Sequence, residues 1–286
     1  MANVLLAWSN RADLATLAGG SWSATLPLSN LQNRQVQKVG RTTGVTLANT
    51  QFTADLGAAK SINCIALVVH NMSASAKVRV TAASNSSYTT PEYQSAWIDV
   101  WPAGVIPISA LEWEEDNFWL GTMTAEARAG YNSPFIHVLP SAQYLRYWKV
   151  EVDDTTNTAG YIQFGRLFMA ASWQPQYNMT YGASLGYEDP TEVATSLSGA
   201  EYFDVRGKFR GHRFDLDFLS SEEVHQQVFE LQRLAGTSSE VLVVPNIDDA
   251  STLVQRSFVG RLKSLSPAAQ TNYGIFKTSM EIKELL

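Results

Sequence analysis

The 286-residue chain is 45% hydrophobic and 17% charged, a balance that excludes a disordered polymer and is long enough for two domains, each with its own core. Its formal charge of −6 is spread without a tail, and the densest basic run, Arg206, Lys208 and Arg210, is followed closely by Asp215 and Asp217. Phosphate neutralisation needs clustered Lys and Arg, so nucleic-acid binding is not expected.

Met1 to Ser9 is apolar but has neither a positive leader nor a small-residue cleavage site, so a signal peptide is not expected. No apolar run reaches the ~18 residues that span a bilayer, so membrane insertion is not expected either. The single cysteine, Cys64, lies within the apolar run Ile62 to Val69 and reads as a small buried hydrophobe. One cysteine makes neither an internal disulfide nor a metal cluster, which suits synthesis in the cytosol.

Aromatic residues at 11% and frequent turn formers suggest many short strands packed as a sandwich. The expected strands of the first half are Phe52 to Leu56, Ser61 to His70, Ala76 to Ala82, Tyr144 to Val152 and Tyr161 to Ala170. Period-two alternation sends Tyr144, Arg146, Trp148, Val150 and Val152 towards the core, and 153–160 reads as a hairpin loop. Between the early and closing strands, 97–140 is an aromatic-rich insertion holding Trp97, Trp101, Trp113, Trp119 and Tyr131. That much apolar surface in a loop implies burial, against this chain or another.

The stretch 174–201, with prolines, glycines and polar residues, reads as a linker or an extended arm. Phe203 to Leu219 follows as a long strand or bent pair, with Phe214, Leu216 and Phe218 facing inward. Ser220 and Glu223 have the spacing of a capping box. Val224, Val228, Leu231 and Leu234 or Ala235 then share one helix face, and Gly236 stands at the C-cap, predicting a helix over about 221–235. Three strands complete the pattern: Glu240 to Val244, Ser257 to Leu265 and Ile275 to Glu284, the last two joined as a hairpin. The fold class expected is mainly β: a β-sandwich over about 1–175, then a β-rich domain over about 176–286 with one flanking helix.

Two separated segments resemble the early and closing strands of discoidin-like, galactose-binding-type jelly rolls. They are Phe52 to Asn71, with its Asp55-Leu56-Gly57, and Tyr144 to Asp154 together with Tyr161 to Met169. Ala7-Trp8-Ser9-Asn10, Gly19 to Ser23 and Leu26 to Leu31 resemble tail proteins of long-tailed bacteriophages. Arg213 to Leu219, Leu234-Ala235-Gly236, Glu240 to Pro245 and Phe258 to Leu262 resemble a distal-tail or baseplate ring component. The resemblance implies a virion protein of the tail tip, made in the host cytoplasm. It would form a ring with itself and touch tail tube, hub, tape measure and receptor-binding proteins. Familiar distal-tail proteins carry the ring domain first; here the order looks reversed.

No catalytic constellation stands out, so an enzyme is not expected, nor a cofactor. His70, His137, His212 and His225 form no metal-ligand spacing, and no nucleophile elbow or phosphate-cradling loop occurs. The most acidic cluster, Glu112, Glu114, Glu115 and Asp116, is flanked by Trp113, Phe118 and Trp119. Rings stacking on sugar CH groups beside carboxylates that accept hydrogen bonds from hydroxyls would suit a glycan. Trp101, Trp113, Glu114, Glu115, Asp116 and Trp119 are therefore candidates for contact with a host surface glycan or for a subunit interface. A solvated loop anchored by its aromatics is the plainer alternative. Asp153 with Asp154, or Asp116 with Asn117, offers oxygen ligands of the kind calcium takes, although paired acids are common in hairpin loops.

Overall fold

The computed structural model describes residues 2–286 except 103, 115–117, 120, 122 and 124–133. The chain opens with β1 (Leu5–Trp8), every residue of which is buried. A β-sandwich follows, built from β2 (Thr16–Ala18), β3 (Gly40–Arg41), β4 (Phe52–His70), β5 (Lys77–Ala83), β6 (Tyr93–Gln94), β7 (Ile98–Asp99), β8 (Phe135–Asp153) and β9 (Gln163–Ala170), with a short helix α1 (Leu47–Thr50) before β4.

Its strand order is β3-β9-β4-β8-β5-β6, with β2 added on β4 and β7 on β5. The two 19-residue strands β4 and β8 pair antiparallel along their length, with register breaks between Asp55 and Lys60 and between Ile62 and Cys64. Irregularities of this kind bend a strand. The first part of β4 thus lies between β2 and β8, and its last part between β8 and β9. The enclosed core includes Phe52, Ile62, Ile65, Val80, Trp148, Val150, Phe164 and Leu167.

The alternation expected for β8 holds at Trp148, Val150 and Val152, all buried. It fails at Tyr144, which is exposed beside the first register break. The 153–160 stretch is not a hairpin loop: β8 and β9 both pair with β4, which lies between them, so the connection crosses over β4. The two strands predicted at 52–56 and 61–70 are one bent strand.

The second unit comprises β10 (Ser172–Trp173), β11 (Ser184–Glu188), β12 (Glu192–Thr195), β13 (Glu201–Asp204), β14 (Phe209–Ser220), β15 (Val241–Val244), β16 (Phe258–Leu262), β17 (Ala269–Asn272) and β18 (Ile275–Glu284). Helix α2 (221–234) follows β14, and α3 (Ala250–Arg256) lies between β15 and β16. The sheet order is β10-β1-β15-β16-β18-β14-β11, with β17 on β18, while β12 and β13 form a separate two-stranded hairpin.

Strand β1 sits inside this second sheet, Leu5 opposite Val244 and Leu6 opposite both Val243 and Trp173. The chain therefore starts in the second sheet, leaves it to build the sandwich, and returns at β10. The 1–175 stretch expected as one unit lends its first and last strands to the other sheet.

One face of that sheet packs under α2 through Leu6, Phe214, Leu216, Val243, Phe258 and Ile282. The opposite face, through Leu5, Ala7, Leu242, Val244 and Val259, packs on Cys64, Ala66, Val68, Phe168 and Ala170 of β4 and β9. Strands buried on both faces read as continuous apolar runs, which explains the unbroken Val-Leu-Leu-Ala and Val-Leu-Val-Val.

Helix α2 matches its predicted signals. Ser220 Oγ accepts from the Glu223 backbone N–H at 3.2 Å, and the Glu223 carboxylate accepts from the Ser220 backbone N–H at 3.0 Å. Val224, Val228, Leu231 and Ala235 are buried, while Leu234 is exposed. Gly236 adopts φ +51°, a left-handed C-cap that glycine takes at little cost. In β14, Phe214 and Leu216 face inward as expected but Phe218 is exposed and Leu219 is buried, because a register break between Leu216 and Leu219 reverses the alternation. Helix α3 has no counterpart among the predicted elements.

Candidate functional site

The predicted candidates divide between core and surface. Trp101 is buried: its Nε1–H donates to the Met72 carbonyl at 3.1 Å and its ring meets His70 edge-on at 5.5 Å. Its ring belongs to the sandwich core. Trp113 and Trp119 are 71% and 77% exposed, with ring centroids 5.6 Å apart, and Phe118 touches both at 5.3 and 5.4 Å. Glu114 is exposed beside them. Glu115, Asp116 and Asn117 lie outside the described residues, as do Leu120 and Tyr131. Three mutually packed rings with two edges in solvent form a small apolar platform.

Several titratable groups are committed to structure. Asp154, buried, accepts from the Ser73 backbone N–H at 2.9 Å, from the Ser73 hydroxyl, and from Asn157 Nδ2 at 2.8 Å. Those bonds staple the connection after β8 to the loop after β4. Asp153 is exposed at the strand end. Among the described residues, no group of three His, Cys, Asp or Glu is placed to hold a metal ion. Burial lowers the His70 and His212 imidazoles to about 4, with Arg256 adding to the effect at His212. His137 is lowered by burial and lies 2.7 Å from the Tyr93 hydroxyl. Burial pushes the Cys64 thiol up to about 12, so it is held as the inert thiol between the two sheets.

A second surface stands out on the structure more than on the sequence. Residues 181–205 run from β11 through the β12–β13 hairpin, and every residue of those three strands is exposed. Tyr181, Leu185, Tyr187, Val193, Leu197, Tyr202, Phe203 and Val205 present large apolar side chains there. The hairpin is closed by its own ladder, Glu192 opposite Asp204 and Thr195 opposite Glu201. At its root Arg206 pairs with Glu192 and Asp204, both at 2.9 Å, and Lys208 with Asp189 at 3.4 Å. Exposed pairs of this kind are screened by solvent, so they bias a geometry but do not hold a fold. The expected "linker or extended arm" is thus an arm with strand structure and an apolar surface. Its sequence signal was the clustering of Tyr, Phe, Val and Leu within a turn-rich, acidic stretch.

No family model matches the chain, and no curated protein matches it. Among solved structures, the first carbohydrate-binding module of family 32 from a family 31 glycoside hydrolase of Clostridium perfringens is 10% identical. It overlaps 57% of this chain and 99% of its own, with a TM-score of 0.38. A His 62 mutant of the lectin binding domain of lectinolysin, complexed with Lewis b, is 13% identical over 57% of this chain and 95% of its own, TM-score 0.38. The family 32 module of C. perfringens NanJ, in complex with galactose, is 13% identical over 58% and 99%, TM-score 0.39.

Proposed function

We propose that this chain is a non-enzymatic structural protein that works by assembly, as a distal-tail or baseplate ring component of a bacteriophage tail tip. The observation that carries the reading is the arm at 181–205: a hydrogen-bonded β-hairpin whose apolar side chains are left in solvent by its own chain. Exposed apolar surface of that extent on an ordered element is what a partner covers. Two further features support it. The second unit is a β structure with one principal flanking helix, the form the resemblance implies for the ring part. Its sheet includes β1, so the sandwich is looped out of the ring-like unit between β1 and β10. In this role it would link the tail tube to hub and receptor-binding parts, in the virion. None of the three solved structures described above is a tail protein; the reading rests on the arm and on the residues that resemble tail proteins.

Light scattering at several concentrations, with negative-stain imaging, tests the proposal. Closed rings or concentration-dependent oligomers are expected; a monomer that is also absent from purified tails would contradict it.

A second reading, carbohydrate binding by the sandwich, is favoured by the exposed Trp113, Phe118 and Trp119 cluster with Glu114 at its side. The modules named above, two of them in complex with Lewis b or galactose, bear on this reading rather than on the first. Trp119→Ala would then abolish binding to host polysaccharide without lowering stability; unchanged binding would remove Trp119 from the site.

A further inference from the structure

Strand β11 ends the second sheet: it pairs with β14 on one side, and among the described residues no further strand lies on the other. An exposed strand edge is a template for another strand, and natural proteins blunt such edges with prolines, inward charges or a covering segment. Ser184-Leu185-Gly186-Tyr187-Glu188 contains no proline, and all five residues are exposed. Leu185 lies opposite His212 and Tyr187 opposite Arg210. Both are therefore on the face that carries Phe214 and Leu216, and they extend that face to the rim, 40% and 57% exposed.

Resting on the reading above that the chain works by assembly, we infer that β11 pairs antiparallel with β11 of a second copy of this chain about a two-fold axis through Gly186, a contact that joins copies in pairs and does not itself close a ring. The five-residue edge is self-complementary in that register. Leu185 of each copy meets Tyr187 of the other, an apolar–aromatic cross-strand pair made twice on one face. Ser184 meets Glu188 on the opposite face, a hydroxyl against a carboxylate, so no like charges are opposed. The residue of closest approach on the axis is the one without a side chain. A shift of one residue would place Leu185 opposite Gly186 or Glu188 and forfeit both pairs. The two-fold also directs each copy's chain beyond Glu188, the root of its arm, towards the other copy's Tyr181, a fully exposed ring.

The register is tested by single cysteines in the full chain, where Cys64 is buried and does not compete. A Cβ on Gly186 meets nothing within 4 Å, so Gly186→Cys leaves the fold undisturbed. Opposed antiparallel residues lie ~4.5–5.5 Å apart between Cα atoms, inside the ~4.4–6.8 Å that a disulfide spans. Mild oxidation of Gly186→Cys is expected to give a covalent dimer. Ser184→Cys, four residues out of register with its own mate and so ~14 Å from it, is expected to give several-fold less. Equal cross-linking of both variants would overturn the two-fold register. No cross-linking of Gly186→Cys in a protein that still oligomerises would overturn the self-pairing while leaving the assembly reading intact. No cross-linking in a strictly monomeric protein would count against both.

Discussion

The seam between the two sheets and the arm at 181–205 are both rich in apolar and charged residues, yet the chain uses them in opposite ways. At the seam, Leu5, Ala7, Cys64, Phe168 and Leu242 exclude water, and the charges are enclosed with their partners. Arg166, fully buried on β9, makes three bonds of 2.8–3.0 Å to the Glu240 carboxylate, meets Asp13 at 2.5 Å, and donates to the Leu31 carbonyl at 3.3 Å. In the arm, Val193, Tyr202 and Phe203 stand in solvent, and the ion pairs are exposed. The seam is one of the places where burial stabilises the fold; the arm, whose large apolar side chains stand in solvent, contributes little to that.

Arg166→Ala sharpens this contrast most. It leaves Glu240 buried without its counter-charge, already raised in pKa by burial, and is expected to cost about 3–5 kcal/mol in urea unfolding. Arg166→Met with Glu240→Leu should recover most of that loss, since apolar replacement of a buried pair is often neutral.

A pH effect of similar origin should follow. His70 and His212 are neutral in the fold with values near 4, against 6.5 in the unfolded chain. Their contribution is present above about pH 6.5 and is lost as pH falls towards 4, by up to ~1.4 kcal/mol per unit of pH for each group. Unfolding midpoints between pH 7 and 4.5 measure it, and a combined His70→Met, His212→Met variant should flatten the slope.

Ser220→Ala should cost about 1 kcal/mol by removing the cap of α2. In the arm, Leu197→Ser with Tyr202→Ser and Phe203→Ser should change stability by under ~0.5 kcal/mol for each position. A large destabilisation there would mean that the arm is part of the folding core, and the contrast would fail.

The same division explains what could be read from the sequence. The capping box at Ser220 and Glu223, the buried face of α2 and the Trp148 side of β8 follow local rules, so they were legible. Strand β1 was not, because an apolar run buried on both faces has no alternation, and its partner β15 lies more than 230 residues away. Phe218 was misplaced by a bulge, which leaves no local signature in the sequence. Trp101 and Trp113 look alike in composition, yet one fills the core and the other faces water; only the path of the loop over the sandwich separates them. Helix α3, two turns long, falls below the length at which periodicity is informative.

The account stands most directly on the arm as an assembly surface. The decisive measurement is light scattering of the full chain and of the Leu197→Ser, Tyr202→Ser, Phe203→Ser variant across the same concentrations. Oligomers in the parent that dissociate in the equally stable variant are the predicted result. Oligomers of unchanged size and affinity in the variant would contradict it.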